Sequence, residues 1–93
     1  MIDFQKAVLE IKNQTIKETD KLILEYMKKR NLTLDDLKGN IAMQNVPFLD
    51  LEINTTKLNY YYKDELILSV IQKFDFQQPT ISRCELIIKK GNW

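Results

Sequence analysis

The stretch Leu58–Lys90, LNYYYKDELILSVIQKFDFQQPTISRCELIIKK, is apolar and rich in β-branched and aromatic residues. Read with a period of two, it breaks into strands separated by short turn signals. Leu58–Tyr62 is one strand, Lys63–Glu65 a turn, Leu66–Phe76 a second strand, Phe76–Pro79 a second turn and Ile81–Lys89 a last strand. Val, Ile, Tyr and Phe suit a pleated, half-buried surface, and closely spaced strands of this kind form an antiparallel meander. Leu66, Leu68, Val70, Phe74 and Phe76 then share the inner face, with Cys84, Leu86 and Ile88 from the last strand.

What precedes this stretch supplies the layer that would cover it. Phe4, Ala7, Val8, Ile11, Thr15, Leu22, Ile23, Tyr26 and Met27 recur at three- and four-residue steps, one broad stripe of a helix. Asp3 can cap its start. Lys28, Lys29 and Arg30 suit a helix C-terminus, and Asn31 is a residue type that leaves a helix in the left-handed conformation. The spacing predicts about seven turns, with Asn13–Thr15 and Thr19 as points where the helix is open to a break. A short second helix follows. Thr33 is its N-cap, Asp36 stands at the capping-box position, Leu32 and Leu37 form a hydrophobic staple, and Gly39 ends it. Ile41–Val46 reads as a connector. Leu49, Leu51 and Ile53 alternate with Phe48, Asp50 and Glu52, which predicts a half-buried strand starting after Pro47. Asn54–Lys57 then serves as a hairpin loop.

The expected architecture is α+β: a long N-terminal helix and a short helix packed on a four-stranded antiparallel meander. The 93 residues suffice for one domain, helical over 3–38 and sheet over 46–90.

The second half of the decisive stretch also satisfies a helical period. Asp64 can cap a helix that places Ile67, Val70, Ile71 and Phe74 on one face. The following residues, FDFQQPTISR from Phe74 to Arg83, resemble the turn and recognition helix of helix-turn-helix DNA-binding domains. In that resemblance Phe74 ends one helix, Phe76 follows the turn, Gln77 caps the next helix, Pro79 lies early in it and Ile81 is its buried residue. It implies an all-α fold and a small dimeric transcriptional regulator, with Gln78, Thr80, Ser82 and Arg83 facing the major groove.

Several chemistries find little footing. The chain has no histidine, so the commonest general base and zinc ligand are missing. Its one cysteine, Cys84, lies in an apolar run and reads as a small core residue in a reducing, cytoplasmic setting. The glycines, Gly39 and Gly91, make no phosphate-binding loop. Asp35 and Asp36 are explained by the helix dipole, and Asp50 with Glu52 by a solvated strand face. The N-terminus lacks the pattern of a signal peptide, and no apolar run reaches the length of a membrane span. No enzyme, metal or cofactor is expected.

Net charge is +1, with eight Lys/Arg against nine Asp/Glu up to Thr56 and six against four beyond it. The bias of the C-terminal part is mildly basic. In the strand reading, Tyr61, Ile67, Ile71, Ile81 and Ile87 point away from the helix, among Lys73, Arg83, Glu85 and Lys89. An apolar band rimmed by charge is what a protein-binding surface presents. Tyr61, Ile67, Ile71, Lys73, Arg83 and Ile87 are therefore the candidate partner-binding residues, with homodimerisation as one use of them. The function expected is a small non-enzymatic protein that binds and occludes a macromolecular partner; size and composition fit an inhibitor or adaptor encoded by a phage or mobile element.

Overall fold

The computed structural model describes the backbone of residues 2–77 and 80–93, and the side chains of residues 5–75 and 83–93. In chain order the elements are β1 (Ile2–Asp3), α1 (Phe4–Arg30), α2 (Leu34–Leu37), β2 (Ile41–Asn45), a 3-10 turn (Phe48–Asp50), β3 (Thr55–Tyr62), β4 (Glu65–Gln77) and β5 (Thr80–Lys90). The strands form one antiparallel sheet in the order β1-β5-β4-β3-β2. The four main strands are a meander, as the α+β reading expects, and α1 crosses one side of it over β4 and β5.

Helix α1 is unbroken over its 27 residues. Its buried row is Ala7, Ile11, Thr15, Thr19, Tyr26 and Met27, with Leu22 and Ile23 packed at its margin. The two threonines do not break the helix. Each turns its hydroxyl back onto a carbonyl four residues earlier, Thr15 to Ile11 at 2.6 Å and Thr19 to Thr15 at 2.8 Å. At the other end Leu32 N–H reaches Met27 O at 2.8 Å and Asn31 N–H reaches Lys28 O at 3.3 Å, with Asn31 at φ 59°. This is a Schellman closure in which asparagine takes the left-handed position and Leu32 tucks toward the core. Helix α2 has the expected capping box: Thr33 Oγ1 accepts from Asp36 N–H, and Asp36 Oδ2 accepts from Thr33 N–H at 2.7 Å. The Thr33 backbone bond, with help from the hydroxyl, holds the Asp36 carboxyl below its ordinary range. The cap expected from Asp3, and the place of Phe4 in the apolar stripe, concern side chains outside the described residues.

Two expectations about strands are corrected. Phe48–Ile53 is not a strand, despite its alternation. Phe48–Asp50 is a 3-10 turn, and Phe48, Leu49 and Ile53 are exposed, Leu49 by 97%. Alternation gives a strand only where a partner strand stands beside it, and β3 is paired instead with the supposed connector, Ile41–Asn45. The meander therefore begins at Ile41 rather than at 46, and Ile2–Asp3 adds a further short strand at the β5 edge. The helix-turn-helix alternative is also corrected, because Glu65–Gln77 and Thr80–Lys90, which take in the described residues of both its helices, are strands paired with each other.

The β3–β4 hairpin turns through Lys63 and Asp64, at φ 45° and 70°. Positive φ at both central residues is the type I′ geometry that matches strand twist. Inside the hairpin the register slips between Tyr60 and Tyr61: Tyr60 faces Leu68 but Tyr61 faces Leu66, leaving Ile67 as an extra residue. A second slip, between Asp75 and Phe76, leaves Ser82 as the extra residue of β5.

The Ile67 bulge positions the core. Its carbonyl accepts Gly91 N–H at 2.8 Å and Trp93 Nε1–H at 2.5 Å. Trp93 is thereby laid against Tyr26, ring edge to face at 5.2 Å, with Lys90 Nζ 4.2 Å from its ring centre. Tyr26, Ile67, Leu68, Val70 and Trp93 make the buried cluster, flanked by Leu58, Tyr60, Tyr62, Leu86 and Ile88. Gly91 is required by this approach: a Cβ there would lie 2.0 Å from the Leu66 carbonyl oxygen. Gly91→Ala must push the C-terminal segment off the bulge. The expected loss is about 1–3 kcal/mol of unfolding free energy, the range of overpacking. Urea unfolding followed by the fluorescence of Trp93, the one tryptophan of the chain, measures it.

Candidate functional site

Face assignment follows from three contacts across the sheet. Gln72 Nε2 donates to Thr15 Oγ1 of α1 at 3.0 Å and its Oε1 accepts from Thr56 Oγ1 at 3.3 Å, so Gln72 and Thr56 look toward the helix. At the hairpin end Glu65 meets α1 directly. Tyr26 Oη donates to its Oε1, Arg30 Nε to the same oxygen at 3.2 Å and Arg30 Nη2 to Oε2 at 2.9 Å. Tyr62, paired with Glu65, packs edge-on against Tyr26.

This staple fixes the C-terminal end of α1 on the sheet and sets the charge of its members. The Arg30 hydrogen bonds, then the Tyr26 hydroxyl, hold the Glu65 carboxyl below its ordinary range. Burial and then the Glu65 bond push the Tyr26 phenol up. A carboxyl with a lowered folded-state pKa stabilises the fold above its unfolded value, about 4.3 for Glu, and that contribution disappears as pH falls through the folded-state value. Acidification below about pH 4.3 therefore weakens the wild type, and Glu65→Gln flattens the slope of stability with pH there. Asp36 acts with the same sign, so some slope remains in the variant. Thermal melts at stepped acidic pH measure both; equal slopes in wild type and variant contradict the staple.

The residues of alternate parity look the other way. Across the outer face, Tyr61 stands beside Leu66, Ile71 beside Ile87, Lys73 beside Glu85 and Asp75 beside Arg83. Lys57 flanks Ile71 from β3, and Lys89 lies beside Ser69. Tyr61, Leu66, Ile71 and Ile87 keep partial exposure, and Lys73, Arg83 and Lys89 are exposed. Tyr61 is oriented by a short relay: Ser69 Oγ donates to Asn59 Oδ1 at 2.6 Å, and Asn59 Nδ2 donates to the Tyr61 hydroxyl at 3.3 Å. A phenol held in this way loses little side-chain freedom on binding. Arg83 lies 3.9 Å from Glu85, a loose, solvated pair.

Five of the six partner-binding candidates, Tyr61, Ile71, Lys73, Arg83 and Ile87, thus share one surface. Ile67 does not belong to it. It is fully buried, because the bulge turns it to the helix side beside Leu68, and Leu66 takes the outward place instead. The sequence reading missed Leu66, Lys57 and the Ser69–Asn59 relay. Strict alternation hides the first, and the others depend on which strands pair.

Of the DNA-reading set, Gln78 lies outside the described residues, as do the side chains of Thr80, Ser82 and Ile81. The backbones of Thr80, Ser82 and Arg83 are in β5, so no recognition helix carries them. Asp50 and Glu52 do not share a strand face, since the first is in the 3-10 turn. Cys84 is half-buried opposite Phe74. Among the described residues no cluster of three His, Cys, Asp or Glu side chains is placed to hold a metal, and no helix is long and apolar enough to cross a membrane. The chain matches no protein-family model, and comparison with curated proteins and with solved structures finds no match.

Proposed function

We propose that this chain is a small non-enzymatic binding protein that lays the outer face of its sheet on another protein and occludes the surface it covers. The observation that carries the reading is the composition of that face. Ile71 and Ile87 form a central apolar pair, Tyr61 and Leu66 extend it toward the hairpin, and Lys57, Lys73, Arg83 and Lys89 outnumber Asp75 and Glu85 around it. An apolar centre with a polar rim is the anatomy of a protein interface, and Tyr and Arg are its usual anchors. The cationic bias favours a partner whose own rim is acidic, since complementary charge steers encounter and suppresses wrong pairings. The half-buried Cys84 suits a reducing compartment, so a role as a cytoplasmic inhibitor or adaptor goes with the proposal.

The test is affinity capture followed by titration of the recovered protein. Ile71→Asp and Arg83→Glu are each expected to weaken binding by about 2 kcal/mol or more, roughly 30-fold, with the circular-dichroism spectrum retained. Lys28→Glu, at the solvent side of α1, is the control and leaves affinity unchanged. A partner that binds both face variants as tightly as wild type removes the proposal.

A further inference from the structure

The two edges of the sheet differ in a way the outer face does not explain. On one side β1 pairs with Thr80 and Ile81 of β5, and the rest of that strand carries Arg83, Glu85, Lys89 and Lys90. Charged side chains are a common device for keeping an edge from pairing with another chain. On the other side β2 reads Ile41-Ala42-Met43-Gln44-Asn45, with no charge and no proline, and every residue of it is exposed, Met43 by 66%. Phe48, Leu49 and Ile53, also exposed, follow it directly.

The hydrogen bonds at its ends show how this edge is set. Lys63 N–H donates to Asn40 O at 3.3 Å, and Val46 N–H donates to Lys57 O at 3.0 Å. Asn40 and Val46 therefore turn their backbone groups toward β3. In an antiparallel ladder the direction alternates, so Ala42 and Gln44 do the same while Ile41, Met43 and Asn45 present N–H and C=O outward. Pro47, with no N–H to offer, closes the outward row at its far end.

From this we infer that β2 pairs with β2 of a second copy of the chain, antiparallel about a two-fold axis at Met43. The register follows from the outward set: Met43 faces Met43 of the other copy and Ile41 faces Asn45, so each outward N–H meets an outward C=O. The occupant is a second copy because the strand is complementary to itself under that symmetry. An uncharged edge sets no like charges against each other on self-pairing, whereas the charged β5 edge would. The result is one continuous sheet through both copies, with both outer faces on the same side. The inference does not depend on the proposed function, and the face variants above do not touch β2.

The experiment is sedimentation of the full chain over roughly 1 µM to 1 mM, the range of weak specific association. Wild type is expected to pass from monomer to dimer. Met43→Lys and Met43→Glu each set like-charged side chains directly opposite one another across the axis, on Cα atoms about 5.5 Å apart, and are expected to weaken the dimer roughly tenfold. An equimolar mixture of the two recovers it as a heterodimer. Because Met43 is exposed and its N–H points outward, neither variant removes a bond within the chain. A wild type that stays monomeric throughout overturns the inference and leaves the edge to a strand from another protein. A dimer that survives both variants, or a mixture that fails to associate, overturns it as well.

Discussion

The carbonyl of Ile67 holds two ends of the structure together. It sits at the one extra residue of the β3–β4 pairing and receives the donors of Gly91 and Trp93. A classic bulge bends its strand and places two successive side chains on the same side. Here those are Ile67 and Leu68, both fully buried. The same step sends Leu66 to the outer face. The core under the C-terminal half of α1 and the composition of the open surface are thus two results of one slipped residue. Without the bulge, Ile67 would be an exposed isoleucine and the Trp93 indole would lose its acceptor.

The two sides of the sheet are held by different physics. On the helix side, burial dominates, and polar groups appear where they fix position. Gln72 is tied to Thr15 and to Thr56, and Glu65 to Tyr26 and Arg30, one link near the middle of α1 and one at its end. Such links add little net stability compared with the buried side chains, but a sliding helix would leave them unpaired, so they set its register. On the outer side the side chains stay partly in water. Their arrangement is fixed by strand pairing and, at Tyr61, by the Ser69–Asn59 relay, which makes that face a rigid presentation surface. Flat sheet elements of this kind lose little freedom when covered.

Much of this was legible in the residues. The stripe from Ala7 to Met27 and the closure at Asn31 depend on local spacing and on one residue's tolerance of positive φ, and both are met in the structure except at Val8, which is exposed. The capping box at Thr33 and Asp36 is equally local. Strand pairing is not local, and there the reading failed. Leu49, Leu51 and Ile53 alternate well, yet no strand pairs with them, while Ile41–Asn45 lacks alternation and still pairs along its length with β3. A bulge leaves no mark on a run such as Leu66-Ile67-Leu68, since all three residues are equally apolar. Ile67, Val70, Ile71 and Phe74 satisfy a helical period too, which is why the helix-turn-helix resemblance arose; in the strand, Val70 faces α1 and Ile71 faces away.

The proposed function, and the account of the bulge beneath it, require Ile71 and Ile87 to meet solvent on the side opposite α1 while Ile67 and Val70 do not. Methyl NMR with a soluble paramagnetic agent measures this directly. Strong broadening of the Ile71 and Ile87 methyls, with those of Ile67, Leu68 and Val70 protected, is the predicted result. Broadening of Ile67 together with protection of Ile71 would show that the strand runs without its bulge and that the face described here is not the one the protein exposes.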